Sequence, residues 1–204
     1  LSIRRQRQMC IRDRVETLRR MLGVPLDAGI ATNFYAGLAT ETGGFRYENT
    51  TPEVLRLASR LVKAGADPRR ICEEVYESVP ARRLKLLGAA LRTLSVDRGV
   101  AWMSLARRDF ARLDAKEEDA EEFVEYPRAV RNARVAAFLR ETPDGVRVSL
   151  RSKSGIEVNR VAHRFGGGGH SYAAGCTIER AMIPEARMRL SRVLRAEMRR
   201  AGRT

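Results

Sequence analysis

The sequence predicts an α/β protein in two parts, a helix-rich stretch over residues 15–96 and an α+β unit over residues 97–204. Three observations carry this. Two capped helix starts follow one another at Thr51-Pro52 and Asp67-Pro68. The apolar pattern then changes from helical spacing to alternation near Val100. Beyond that point two alternating runs flank Thr142-Pro143-Asp144-Gly145, the signature of a tight turn between antiparallel strands.

The elements follow in order. Residues 1–14 carry five Arg and one Asp with no helical or alternating pattern, and they do not begin with Met. They resemble a translated sequencing-adapter read and are set apart from the fold. Residues 26–38 are apolar and Ala-rich and read as a helix, leading into a strand end and turn at GLATETGGF. Thr51 caps the next helix, with Pro52 in its first turn and Glu53 favourable at its positive end. Val54, Leu55, Ala58, Leu61 and Val62 are its expected buried stripe, and Gly65 stops it. Asp67-Pro68 opens another helix carrying Ile71 and Val75, and residues 81–94 read as a connector helix.

In the second part, residues 100–107 read as a strand and residues 117–122 as the start of a short helix. Residues 135–141 and 145–153 form the hairpin, with Val146, Val148 and Leu150 on one face and Arg147, Ser149 and Arg151 on the other. Val158, Val161, Ala162 and Phe165 give a helix at i, i+3, i+4, i+7. Four glycines, His170 and a returning strand AAGCTIE complete the unit. A final helix carries Met182, Ile183, Ala186, Leu190, Leu194 and Met198 on one stripe.

Composition narrows the function. The net charge is +14, with 35 Arg against 4 Lys. The two ends hold most of it: residues 180–204 have eight Arg and two Glu. Bulk electrostatic binding of nucleic acid is therefore a weak expectation, and the terminal Arg run reads first as a solvated helix face. No apolar run approaches the roughly 18 residues that span a bilayer, so a soluble protein without membrane partners is expected. Three widely spaced cysteines without a CxxC pair exclude a disulfide framework and suit a reducing cytoplasm.

The strongest chemical signal is Gly166–Gly169 with His170. A glycine run is either a flexible linker or a loop whose backbone N–H groups approach an anion closely. No Gly-Lys-Ser/Thr follows, which excludes a Walker-type loop. The positive contribution would come from N–H groups, His170 and nearby Arg side chains. Arg151, with Ser152 at the end of the polar strand face, is a candidate phosphate clamp. Asn159 begins the intervening helix and either orients the loop or caps the helix, whereas His163 reads as a surface residue. Glu41, before Gly43-Gly44, is a carboxylate placed to ligate a hard divalent ion. No Asp-x-Asp, His-His pair or other compact cluster accompanies it.

ATETGGFRYENTTPEVL (39–55), YES (76–78), VRVSLRSK and above all FGGGGHSYAAG (165–175) resemble the DHH phosphoesterases. The group most similar is the bacterial-type nanoRNA hydrolases that also act on 3′-phosphoadenosine 5′-phosphate. The resemblance implies the C-terminal part of a parallel-sheet catalytic lobe followed by a complete α+β substrate-binding lobe. It implies a two-metal hydrolase using two Mn²⁺ ions, acting on short RNA or nucleotide phosphates in the cytoplasm, with a homodimer open to it. By motif, Arg151, Ser152, Asn159, Gly167, Gly168, Gly169 and His170 fall on the substrate side. Glu41 falls where the family carries an Asp metal ligand. The family's Asp-His-His is not in this sequence, and the resemblance places it upstream, so the chain alone is expected to be inactive. A non-catalytic nucleotide- or RNA-binding module and a cyclic-dinucleotide phosphodiesterase are the alternative readings.

Overall fold

The computed structural model describes residues 25–47, 49–153 and 155–202. The expectation for residues 1–14 lies outside the described residues. The chain divides into two units between Val79 and Pro80, upstream of the boundary expected at residue 96.

The described part of the first unit is helical. Helix α1 spans Ala28–Glu41, α2 Pro52–Lys63 and α3 Pro68–Tyr76. Each start is fixed by a side-chain cap, at Thr51 and Asp67 as the sequence predicts and at Asp27 in addition. Asp27 accepts from the Ile30 N–H at 2.8 Å, Thr51 from Val54 at 3.4 Å, and Asp67 from Arg69 and Arg70 at 2.9 and 3.2 Å. Ala31, Leu38, Val54, Leu57, Ala58, Leu61 and Ile71 form its core.

Two expectations change here. In α2 the buried stripe is Val54, Leu57, Ala58 and Leu61, while Leu55 and Val62 are exposed. The sequence GLATE continues α1 and is no strand end. Thr40 and Thr42 hydroxyls bond back to the carbonyls of Ala36 and Leu38 at 3.0 and 2.7 Å, which suits a helix end. Glu41 is therefore the last residue of a helix.

The second unit is built on a six-stranded sheet. Helix α4 (Ala81–Leu91) precedes β1 (Ser95–Asp97) and β2 (Val100–Leu105). Then come α5 (Arg107–Arg112), a 3₁₀ turn (Glu117–Ala120), α6 (Glu125–Ala129), β3 (Val135–Thr142) and β4 (Gly145–Ser152). Helix α7 (Val158–His163), β5 (Gly168–His170), β6 (Ala173–Glu179) and α8 (Ile183–Ala201) complete it. The strand order is β1-β2-β3-β4-β6-β5. Only β2 and β3 pair in parallel, and the crossover between them carries α5, the 3₁₀ turn and α6.

The two faces of this sheet differ. On one, Val135, Ala137, Leu139, Val146, Val148, Leu150, Cys176 and Ile178 meet α7 and α8. Leu190 and Leu194 are fully buried there, each worth about 1.5–3 kcal/mol of burial. Met182, expected in this stripe, is 69% exposed because it precedes the helix as its N-cap. On the other face, Met103, Leu105, Ala136 and Phe138 pack with Leu86, Ala89 and Ala90 of α4 and with Phe123 and Val124. That packing is why the connector helix belongs to the second unit. It covers β2 and β3, and over β4, β6 and β5 the same face lines a cleft.

Candidate functional site

The cleft has a volume of about 960 Å³. Its floor is the polar face of β4, namely Arg147, Ser149 and Arg151, with Gly175 and Thr177 of β6. Its far wall is the loop and strand of Gly166–Gly169. Register places these side by side: Ser149 pairs with Gly175, and Gly175 with Gly168. Arg151 pairs with Ala173, and Ala173 with His170. With one strand between them, the backbones at Arg151 and His170 stand about 10 Å apart.

Arg151 is held firmly. Its Nε donates to Glu125 Oε1 at 2.9 Å and its Nη1 to the Leu150 carbonyl at 3.1 Å. The other Glu125 oxygen accepts from Arg128 at 2.7 Å, so one carboxylate orients two guanidinium groups. Nη2 of Arg151 has no such partner among the described residues. Arg147 stands two positions back along the same face, with Nη1 3.9 Å from Glu117 Oε2. Glu117, Asp144 and Glu179 border the cleft, which thus carries both signs.

The glycine run is an edge strand, not the loop cradle the sequence suggested. Gly168–His170 pair antiparallel with β6. Gly166 and Gly167 donate their N–H groups to the His163 and Ala162 carbonyls at 3.2 and 3.0 Å, closing the end of α7. Those two amides are engaged and do not face an anion. Steric need explains two of the glycines. A Cβ on Gly167 would lie 2.2 Å from the Gly175 carbonyl oxygen and 2.5 Å from Cys176 Cβ. At Gly169, φ is +139°, and a Cβ would lie 2.5 Å from the Ala173 oxygen. Gly168 is open, its nearest neighbour being His163 Cε1 at 3.8 Å from the added carbon. His163, read as a plain surface residue, therefore stands beside the motif.

The other expected site residues separate. Ser152 lies on the opposite face from Arg151, pairs with Val135, and is buried with no partner for its hydroxyl among the described residues. Asn159 is the second residue of α7; its side-chain oxygen accepts from the Arg160 N–H at 2.9 Å, and it does not line the cleft. His170 is exposed on β5, in register with Arg151 but outside the cleft lining. Cys176 also borders the cleft, and burial pushes its thiol up to about 11, so it is inert as a nucleophile at neutral pH. Ser149, Gly175 and Thr177 were not expected. The alternation of β4 had already placed Ser149 between Arg147 and Arg151.

Glu41 is exposed at the end of α1, and its backbone oxygen accepts from Asn49 Nδ2 at 3.1 Å. Among the described residues no group of three His, Cys, Asp or Glu side chains gathers to hold a metal. Glu41 by itself does not fit a two-metal centre. What the cleft can do is hold a phosphate ester at a fixed guanidinium and exclude side chains from the glycine wall.

Comparison with known proteins bears on the fold and the family. Residues 100–199 match the DHHA1 domain. A bifunctional oligoribonuclease and PAP phosphatase NrnA from Thermus thermophilus is 36% identical over 188 residues, covering 92% of this chain and 57% of the relative. The Bacillus subtilis protein of the same name is 27% identical, covering 76% of this chain and 50% of its own. A crystal structure of an exopolyphosphatase-related protein from Bacteroides fragilis superposes with a TM-score of 0.80 at 30% identity, covering 86% of this chain and 52% of that one. The chain thus spans about half the length of these relatives. Among the described residues no helix is long and apolar enough to cross a membrane. With a DHHA1 domain over residues 100–199 and these relatives along most of its length, the chain belongs to the DHH family.

Proposed function

We propose that this chain supplies the substrate-binding part of a metal-dependent phosphoesterase acting on short oligoribonucleotides and 3′-phosphoadenosine 5′-phosphate. The observation that carries the reading is Arg151, fixed by Glu125 on the floor of the cleft and facing a wall of glycines. A guanidinium held at two nitrogens and open at the third is pre-organised to receive a phosphate oxygen. The glycine wall leaves room for a nucleotide against the strand edge. Binding energy collected here would position the ester for hydrolysis elsewhere in the protein. The names of the Thermus and Bacillus relatives support the substrate class. Hydrolysis, and the two Mn²⁺ ions proposed for it, have no complete set of ligands among the described residues.

The test is equilibrium binding of a 5′-phosphorylated diadenylate and of 3′-phosphoadenosine 5′-phosphate, with turnover followed in parallel in the presence of Mn²⁺. The chain as given is expected to bind both and turn over neither. Arg151→Ala removes a charge-assisted hydrogen bond worth about 1.5–3 kcal/mol, which weakens binding about 10- to 150-fold. Unchanged affinity in Arg151→Ala would refute the clamp. Turnover by this chain would mean that it holds a metal site of its own.

A further inference from the structure

Arg140 is a buried cation whose environment does not satisfy it. It is 8% exposed, its Nη1 donates to the Glu117 backbone oxygen at 3.2 Å, and its Nε has no hydrogen-bond partner among the described residues. Its guanidinium stands 5.8 Å from the Phe138 ring centroid. Among the described residues no carboxylate forms an ion pair with it. Directly across the β3–β4 ladder stands Arg147. Like charges on opposed strand positions destabilise a sheet, and a buried cation without a partner destabilises it further. Burial first, and the Arg147 charge second, hold the Arg140 pKa below its usual value, with Glu117 and Glu121 opposing only in part.

We infer that Arg140 and Arg147 form an anion subsite that takes one phosphate group, next to the position of Arg151. A hollow of about 200 Å³ is bordered by Arg140, Arg147, Ser149 and Phe138, with Arg151 at its edge. At about 30 Å³ per water, that is room for a small ion with some hydration. Arg151 lies four residues beyond Arg147 on the same strand, their backbones about 13 Å apart. Exposed Glu117, Glu118, Glu121 and Glu122 border the same hollow. Their charge opposes every anion, and ligands of higher charge the more. Two sources share this chemistry: the second phosphate of a nucleotide held at Arg151, and free inorganic phosphate. The first source rests on the function proposed above; the subsite itself does not.

The experiment is thermal unfolding of the whole chain with and without inorganic phosphate, together with binding of adenosine 5′-monophosphate and 5′-phosphorylated diadenylate. In the wild type, phosphate raises Tm. In Arg140→Met that shift disappears, while Tm without phosphate stays level or rises, because an uncompensated buried charge has been removed. A structural arginine would show the reverse. Arg147→Gln, at an exposed position, tests the same site without disturbing the core and weakens phosphate binding at least tenfold. If the occupant is the second phosphate of a nucleotide, Arg140→Met weakens diadenylate at least tenfold and leaves the monophosphate unchanged. If it is free phosphate, both nucleotides bind as before and only the phosphate response is lost. A phosphate shift retained in both variants overturns the inference. If Arg151→Ala leaves nucleotide affinity unchanged while Arg140→Met abolishes the phosphate shift, the proposed function fails and the subsite stands.

Discussion

The two adjacent glycines Gly167 and Gly168 are expected to respond very differently to one added methyl group. At Gly167 a Cβ would sit 2.2 Å from a backbone oxygen and 2.5 Å from Cys176 Cβ, positions that no side-chain rotation relieves. Strand β5 would have to move off β6, and overpacking of this kind destabilises by about 1–3 kcal/mol. At Gly168 the nearest atom is His163 Cε1 at 3.8 Å, ordinary contact with the end of a side chain. For a unit the size of residues 80–204, about 4 °C accompanies each kcal/mol. Gly167→Ala should therefore lower Tm by about 4–12 °C, and Gly168→Ala by less than about 2 °C. The assay is thermal unfolding by circular dichroism, with diadenylate binding measured on both variants below their transitions. Gly168→Ala narrows the cleft wall and is expected to weaken binding without loss of stability. Equal Tm values for the two variants would refute the close approach of β5 to β6. Unchanged binding in Gly168→Ala would refute the glycine wall as part of the site.

Asp119 is expected to govern part of the acid sensitivity of the second unit. The Arg82 hydrogen bond at 2.8 Å, aided by the Lys116 N–H, holds its carboxyl below the usual carboxylate range. A depressed folded pKa contributes stability that is present above the ordinary value near about 4 and is lost as pH falls through the folded one. In urea unfolding, the gap between wild type and Asp119→Asn should be constant above about pH 5 and shrink below about pH 4; a gap that persists at pH 2.5 would contradict this. The cysteines should separate as well. Exposed Cys72 should alkylate readily at pH 8, while Cys176, buried and with its thiol pushed up to about 11, is spared until the unit unfolds. Peptide mass spectrometry reads both, and early labelling of Cys176 would contradict its burial.

Signals that act within a few residues were legible in the sequence. Thr51 and Asp67 cap where they stand because a cap needs only its own next turn. The hairpin turned at 142–145 as expected because its alternation and its turn agree. Contacts distant along the chain were not legible. Helix α4 joins the second unit because Leu86, Ala89 and Ala90 find Met103 and Leu105, which no local pattern announces. GLATE looked like a strand end, yet its threonine hydroxyls bond back along a helix and carry α1 to Glu41. The glycine motif marked the right place for a different reason. Its amides at 166 and 167 close α7, and Gly167 and Gly169 are small because β6 runs against them. Ser152 was misplaced because strand alternation, applied one residue further, moves it from the Arg151 face to the buried one. Arg140 was missed because a cationic residue in an apolar run gives no sign of what it will face once β4 is paired beside it.

The central claim is that this chain binds a nucleotide phosphate in the cleft over β4, β6 and β5, and not through the bulk positive charge of α8. Amide chemical-shift mapping during titration with 5′-phosphorylated diadenylate tests it most directly. Shifts are expected at Arg147, Ser149, Arg151, Gly166–Gly169 and Gly175, saturable and retained at about 0.2 M salt. Shifts confined to the arginine positions of α8 and fading with salt would contradict it.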